Sequence, residues 1–323
     1  MSVVATPHEG PTTGEPAPAL QRRLGLFDAV MLVAGTMIGS GIFIVSADMA
    51  RDVGAAGWLL GLWLLTGVMT LTGALCYAEL AAMMPQAGGQ YVFLREAYSP
   101  LWGFLYGWTC FLVIQTGSIA AVGVACAKYL GVLVPALGTD QVLWRRPVAW
   151  RLTLPGLSQP IFERTEFTIS AGQLVAVGII ALLTLLNCRG VREGKWVQNI
   201  FTLAKTAALG VLIVVGLTIA ADPAALHANL EQLWSGAWET EAYRRVAERT
   251  GWEGLGVVLM VAGGAMVGSL FSADAWNNVT FTAGEVQEPR RNLPRSLVWG
   301  VSLVIGLYLL ANLAYVAALP GRG

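Results

Sequence analysis

Two ionisable side chains, Lys205 and Asp274, stand inside otherwise apolar stretches of this sequence. A buried charge is costly, so such residues usually face a cavity, a partner or a ligand. Lys205 has no acidic residue three or four positions away, so it either extends to an aqueous surface or finds a distant partner. Asp274 could bind an ammonium group, carry a proton, or cap a half-helix, and the sequence leaves these three roles open.

A second chemical feature is the segment GTMIGSGIF at residues 35–43. Three glycines and two hydroxyl residues propagate a helix poorly. If the helix is broken here, its freed N–H groups can bind a carboxylate and its freed carbonyls can bind a cation. The alternative is close helix packing, because Gly35 and Gly39 have the G-x-x-x-G spacing. This segment alone favours neither interpretation.

The segment GGAMVGSLFSADAWNNV at residues 263–279 also combines glycines with small polar residues in mid-run, and it adds Asp274, which we expect to be buried. Two apolar runs, the first and the sixth, therefore contain an interruption. Paired interruptions in corresponding halves of a chain indicate a transport site. We therefore favour a broken first helix over simple packing.

Several other classes of function lack support in the sequence. The two histidines and four cysteines form no cluster with metal-ligand spacing, and there is no G-x-x-x-x-G-K-[ST] phosphate loop. The cysteines fall in or beside apolar runs, so we expect free thiols that pack as small apolar groups. We expect no enzyme activity, no cofactor, no metal and no nucleic-acid partner.

These residues must be positioned by membrane-spanning helices. The chain is 55% hydrophobic and 12% charged, with a mean hydropathy of +0.62. About 20 apolar residues cross the hydrocarbon core of a bilayer. We predict seven such runs, near 26–48, 56–84, 100–137, 168–188, 197–221, 255–283 and 296–319.

The connections suggest a topology. The polar segment 1–21 is predicted to be a disordered tail without the features of a signal peptide. Polar loops are predicted at 138–167 and 222–254, and compact basic clusters at Arg22–Arg23, Arg189–Lys195 and Arg290–Arg295. Lysines and arginines favour the cytoplasmic side of a membrane. Their number is equal on the two sides of the predicted topology, but those on the side of the N-terminal tail are denser and lie in shorter connections, so we predict a cytoplasmic N-terminus. Glu79 and Glu285 are predicted to form interfacial ion pairs.

Four motifs, taken in order, resemble one family. They are GTMIGSGIF at 35–43; CYAEL at 76–80 with Pro85 and GGQY at 88–91; VQNIFTLAK at 197–205; and WNN, GEV and PRRNLPR within 271–295. Over residues 24–319 the chain resembles the amino acid–polyamine–organocation transporters, and within them the L-type amino acid transporter branch. The resemblance supports a cytoplasmic N-terminus.

The resemblance implies an all-α transmembrane bundle of the LeuT type, with discontinuous helices 1 and 6. That fold has two inverted five-helix repeats and usually two further helices. The transporter domain would occupy residues 22–323, with the first repeat at 26–221 and a partial second repeat at 255–319. Seven of the usual twelve helices are predicted, so we expect this chain to be a fragment of a longer protein.

The resemblance also implies a binding site for an amino acid zwitterion. The N–H groups of Ser40, Gly41 and Ile42 would receive the carboxylate, and carbonyls near residues 36–38, 271 and 274 would receive the ammonium. The implied substrate-binding residues are Thr36, Met37, Ile38, Gly39, Ser40, Gly41, Ile42, Phe271, Ser272, Asp274 and Asn277. The implied gating or coupling residues are Lys205, Phe271 and Trp276.

In sodium-independent relatives a lysine at the position of Lys205 replaces a sodium ion and bonds the unwound first helix. The expected function is therefore a sodium-independent exchanger or facilitator of amino acids in the plasma membrane. A membrane amino acid sensor, or another non-transporting binding protein, is the alternative. Some members of the branch bond covalently to a single-span partner through a loop cysteine. Segment 138–167 has no cysteine, so we expect no disulfide-linked subunit.

Overall fold

The computed structural model describes residues 21–152, 162–188 and 191–319. Almost all of the predicted tail, together with Arg189 and residues 320–323, lies outside these ranges. The described chain is mostly helical. Its α-helices are α1 (Leu26–Met37), α2 (Gly41–Val53), α3 (Ala56–Met83), α4 (Gln90–Ala97), α5 (Pro100–Thr109), α6 (Thr116–Leu133), α7 (Ala171–Asn187), α8 (Val191–Thr218), α9 (Pro223–Glu231), α10 (Glu241–Thr250), α11 (Leu255–Ser272) and α12 (Pro289–Ala318).

Five of the described helical segments are long and apolar enough to cross a bilayer: α3, the continuous helix Pro100–Leu133, α8, α11 with its short continuation, and α12. The bent pair α1–α2 makes a sixth candidate span. The fourth predicted run forms α7, which has 17 residues and falls short of the usual spanning length. The protein is therefore a multi-pass membrane protein with five or six full-length spans in its described part.

The third span contains a change of helix type. A π-helical segment, Cys110–Gln115, joins α5 to α6, and the hydroxyl of Thr116 donates a hydrogen bond to the carbonyl of Phe111 at 2.6 Å. The predicted long third run is therefore one continuous helix that ends at Leu133. Single turns of this kind are local insertions in a helix and often lie near functional sites.

Two helices begin earlier than predicted. Helix α8 starts at Val191 and α12 starts at Pro289, so Lys195 and the arginines from Arg290 to Arg295 lie inside helices rather than in connections. Hydropathy marks only the apolar part of a helix, whereas its first turns can carry charges beyond the hydrocarbon core. The connections before α8 and before α12 are consequently shorter than predicted.

The segment predicted as a polar loop at 138–167 is largely an antiparallel hairpin. Strand β1 (Val142–Leu152) pairs with β2 (Phe162–Ser170), with register shifts near Val142 and Pro147. The fold is therefore not purely α-helical. The hairpin leads directly into α7, whose first turn has a capping box: the Ser170 hydroxyl accepts from the Gln173 N–H at 3.3 Å.

The second long connection, predicted as a loop at 222–254, contains α9 and α10. The Asp222 carboxylate caps α9, and the Thr240 hydroxyl caps α10 by accepting from the N–H of Tyr243 at 3.0 Å. Helix α10 ends at Thr250 and is followed by Gly251, whose φ of 67° lies in the left-handed region that glycine tolerates. The polar residues of this connection therefore specify helix ends rather than irregular structure.

The buried core lies where α1 and α3 each pack against α12. Its largest fully buried side chains include Trp63 and Tyr308, whose rings meet edge to face with centroids 5.5 Å apart. Helix α1 also packs on α8, and α2 packs on α11. Both halves of the first span are thereby held against the spans that carry Lys205 and Asp274.

The residues before α1 are paired with the connection between α11 and α12. Leu24 forms a parallel β-bridge with Val286, and its carbonyl accepts from the N–H of Gln287 at 2.9 Å. The carbonyl of Glu285 accepts from the N–H groups of Arg23 and Leu24 at 2.9 and 3.0 Å. The residues that precede α1 and the connection that precedes α12 are thus joined by backbone hydrogen bonds at one end of the bundle.

Two smaller predictions are corrected by the described residues. Neither Glu79 nor Glu285 forms an ion pair there, whereas Asp28 pairs with Lys195 at 3.0 Å. The four cysteines are free, but Cys110 is half-exposed and the others are exposed rather than packed in the core. Apolar surroundings in the sequence identify membrane helices, but they do not say which face of a helix is buried.

Candidate functional site

The first span is interrupted at residues 38–40, here called the first break. Helix α1 ends where the backbone becomes extended, and α2 continues at an angle of 42°. The N–H groups of Ser40, Gly41 and Ile42 have no hydrogen-bond partner within the described residues. Free N–H groups at a helix start, together with the positive end of the helix dipole, suit an anionic group.

The sixth predicted run is interrupted at residues 273–275, here called the second break. Helix α11 ends at Ser272, and a short 3-10 helix, Trp276–Thr280, follows instead of the predicted second α-helical half. Ala275 has φ 67°, in the left-handed region. This conformation costs a residue with a Cβ about 1–2 kcal/mol, and such strain concentrates at functional sites.

The two breaks lie against each other. The hydroxyl of Thr36 lies 3.0 Å from the carbonyl oxygen of Ala275, and it also meets two carbonyls of its own helix. A Cβ added at Gly41 would lie 2.9 Å from the Cβ of Ser272, closer than real carbon atoms approach. Glycine is therefore needed at this position for the start of α2 to touch the end of α11.

The two glycines of the G-x-x-x-G spacing have different surroundings. A Cβ at Gly35 would overlap the side chains of Thr202 and Gln198, so Gly35 permits close packing of α1 on α8. Gly39 is exposed, and a Cβ there would meet no atom within 4 Å. The packing interpretation therefore describes Gly35, whereas Gly39 belongs to the break and borders open space.

Lys205 reaches the first break instead of a surface. Its Nζ donates hydrogen bonds to the carbonyls of Gly35 at 2.7 Å and Ile38 at 2.9 Å. Carbonyls at the end of a helix have no partner within that helix, so the ammonium supplies donors that the break would otherwise lack. Lys205 thus contacts the unwound part of the first helix, as the resemblance implies.

Asp274 differs from its prediction. Its side chain is exposed rather than buried. The residue preceding the 3-10 helix is Ala275, and no side chain caps that helix. Because α11 ends two residues earlier, Asp274 is not held on the buried face of a helix. The predicted burial is therefore wrong. Of the three roles left open for Asp274, the structure does not show the capping role.

The other predicted residues of this region have mixed surroundings. The ring of Phe271 is 81% exposed, Ser272 is buried, and Asn277 is half-buried. Trp276 packs edge to face against Tyr77 of α3, with centroids 4.9 Å apart. Trp276 therefore anchors the chain after the second break. The aromatic ring of Phe271, just before this break, lies on the surface of the described structure.

Two features of this region were absent from the predictions. The hydroxyl of Tyr308 lies 3.0 Å from the carbonyl of Met37 and 3.2 Å from that of Ser272. The hydroxyls of Thr66 and Ser269 lie 2.7 Å apart and join α3 to α11. Both involve residues counted as apolar or weakly polar in a hydropathy profile, so no signal distinguished them from ordinary residues of a membrane helix.

The arrangement combines donors and acceptors around the breaks. The carbonyl of Met37 faces Tyr308 and that of Ile38 accepts from Lys205, whereas the carbonyl of Thr36 has no backbone or side-chain donor within the described residues. Of the three carbonyls at residues 36–38 predicted to bind the ammonium, that of Thr36 is therefore the one still free to accept a hydrogen bond from it. A ligand with a carboxylate next to an ammonium matches free N–H groups and a free carbonyl only a few residues apart.

The fold and these contacts define a multi-pass membrane protein in which two interrupted helices meet inside a helical core. The sequence profile described as "Amino acid permease" matches residues 24–323, so the chain belongs to the amino acid permease family. This confirms the predicted resemblance to the amino acid–polyamine–organocation transporters.

Curated relatives bear names of the L-type branch and its neighbours. The chain is 30% identical over 315 residues to the large neutral amino acids transporter small subunit 2 of Mus musculus, covering 97% of this chain and 51% of the relative. It is 28% identical over 301 residues to the b(0,+)-type amino acid transporter 1 of Oryctolagus cuniculus, covering 92% and 51%. The chain spans about half the length of the curated relatives it matches.

Proposed function

We propose that the protein is a secondary-active amino acid transporter, a sodium-independent exchanger or facilitator, that binds its substrate at the two breaks. The observation that carries the proposal is the contact between the breaks through Thr36 and Ala275. This contact places the free N–H groups of the first break beside a second helix end. The family and the names of the relatives, all transporters, support the same function.

The proposed ligand set follows from the described contacts. The N–H groups of Ser40, Gly41 and Ile42 receive the substrate carboxylate, and the carbonyl of Thr36 receives the ammonium. Open space next to Gly39 admits the ligand. The remaining predicted residues (Met37, Ile38, Phe271, Ser272, Asp274, Trp276 and Asn277) line or support this region in the proposal.

Lys205 supports the sodium-independent part of the proposal. Its ammonium already donates hydrogen bonds to the carbonyls of Gly35, in the last turn of α1, and Ile38, in the first break, at 2.7 and 2.9 Å. A bound cation could otherwise occupy this place. A fixed positive charge removes the need for an ion that must be captured from solution. We therefore expect the same substrate affinity in sodium and in choline buffers.

The test uses protein expressed from its natural reading frame and reconstituted in liposomes. Binding and counterflow of radiolabelled neutral and cationic amino acids are measured with and without sodium. Saturable binding with counterflow in both buffers supports the proposal. Absence of binding across the panel refutes it, and binding without counterflow identifies the protein as a sensor or other non-transporting binding protein.

The setting of the protein completes the proposal. We propose a cytoplasmic N-terminus, which the basic clusters and the resemblance support, and a location in the plasma membrane, which the resemblance supports. We also propose that no subunit is attached through the hairpin, because 138–167 contains no cysteine. Migration of the native protein on gels with and without reductant tests this: a reductant-sensitive complex would contradict it.

A further inference from the structure

Tyr308 of α12 is a fully buried polar side chain between the two breaks. Its relative exposure is 0%. Its hydroxyl lies 3.0 Å from the carbonyl of Met37, the last residue of α1, and 3.2 Å from the carbonyl of Ser272, the last residue of α11. One phenol group therefore contacts both interrupted helices at the residue where each one ends.

The hydroxyl has a physical reason to occupy this place. Carbonyls at a helix end lose their intrahelical donor, and a buried carbonyl without a donor is destabilising. A single phenol proton lies within hydrogen-bond distance of both oxygens, so it favours the arrangement in which the two helix ends stay close together. If either end moves away, the phenol can bond only the other.

The position of the phenol is itself fixed. The ring packs edge to face against Trp63 of α3, and the side chain of Asn312 donates to the backbone carbonyl of Tyr308 at 2.8 Å. Helix α12 runs without interruption past both breaks. A continuous helix therefore holds the hydroxyl in place. The ends of the two broken helices both contact this fixed group.

From this geometry we infer that Tyr308 is a positioning residue that sets the separation of the two breaks, and through it the affinity for the substrate. It need not touch the ligand, because it acts through the carbonyls of Met37 and Ser272. The affinity part of the inference rests on the proposed function. The positioning part concerns the unliganded protein and stands separately.

The test compares Tyr308→Phe with Tyr243→Phe in the full chain. Tyr243 offers a control, because its hydroxyl also takes part in a short hydrogen bond, accepting from the N–H of Gly254 at 2.9 Å, but in the connection that contains α10. Hydrogen–deuterium exchange of the unliganded proteins is followed by mass spectrometry. Thermal unfolding and amino acid affinity are measured on the same samples.

We expect Tyr308→Phe to speed exchange about fivefold in peptides covering both breaks, the factor that loss of one hydrogen bond typically produces. Tyr243→Phe should leave both breaks unchanged. For the amino acid of the panel that the unaltered protein binds most tightly, the Kd should rise at least about fivefold in Tyr308→Phe, with the number of binding sites unchanged. A similar fall in melting temperature for the two variants would show that general destabilisation is not the cause.

The alternative outcomes are decisive. Faster exchange at only one break, or an even increase throughout α3 and α12, would overturn the positioning role. Faster exchange at both breaks with an unchanged Kd would overturn the effect on affinity. If the unaltered protein binds no amino acid, the proposed function fails, while the exchange data still decide whether Tyr308 positions the breaks.

Discussion

Substitution of Gly41 by alanine tests the contact between the breaks most directly. The new methyl group would lie 2.9 Å from the Cβ of Ser272 and 3.4 Å from its Cα. Ordinary carbon–carbon contacts are about 3.5–4.0 Å, and rotation of the serine side chain cannot move its Cβ. The two helix ends must therefore separate by roughly 0.5–1 Å. Overpacking of this kind costs about 1–3 kcal/mol.

The matched control for this substitution lies two residues away. A methyl group at Gly39 meets no atom within 4 Å, so Gly39→Ala should leave the melting temperature within about 1 °C, whereas Gly41→Ala should lower it by several degrees. Ser272→Gly, introduced together with Gly41→Ala, removes the opposing Cβ and should restore most of the loss. Equal melting temperatures for the two alanine variants, or no recovery in the double variant, would refute the described contact.

Three further changes have definite expected outcomes. Lys205→Met removes the hydrogen bonds to the carbonyls of Gly35 and Ile38 and should weaken substrate binding at least about tenfold, measured by radioligand saturation; unchanged affinity would contradict the proposed role. Asp28→Asn removes the charge that pairs with Lys195 at 3.0 Å, and chemical or thermal unfolding should show a loss of about 1–2 kcal/mol, less than for a fully buried pair because both side chains are partly exposed. Ala275→Gly relieves the left-handed conformation and should raise the melting temperature, whereas Ala273→Gly should lower it; the reverse order would exclude strain at the second break.

The position of the first break could be predicted from the sequence because helix propensity and membrane physics agree there. Glycines and hydroxyl residues weaken the helix locally, and a bilayer confines irregular backbone to protected sites. The partner of Lys205 was indicated only by the resemblance. No local pattern could reveal it, because its two acceptors are backbone carbonyls about 170 residues away in the chain.

Other features depended on information that apolar composition does not carry. The hairpin formed by β1 and β2 lies in a segment whose charged residues suggested a loop, although alternation along a strand also places polar residues at every second position. Asp274 was expected to be buried because its neighbours in the chain are apolar. Its exposure depends instead on where α11 ends, which is set by the backbone conformation of the second break.

Tyr308 illustrates a third limit. Within α12 it is one aromatic residue among many apolar ones, and periodicity cannot distinguish a ring that fills space from a hydroxyl that lies within hydrogen-bond distance of two carbonyls. The distinction depends on which unpaired backbone groups face it across the bundle. Those groups become known only when both breaks are placed in three dimensions.

The backbone pairing of Leu24 with Val286 also constrains how often the chain crosses the bilayer. Residues that hydrogen-bond to each other at one end of the bundle lie on one side of the membrane, so the chain between them makes an even number of crossings. Four long spans and the bent pair lie between these residues, which gives an odd count. If all five cross, α7 must cross as well. Its 17 residues rise about 26 Å, so the bilayer around it must thin by a few ångströms or admit its flanking residues.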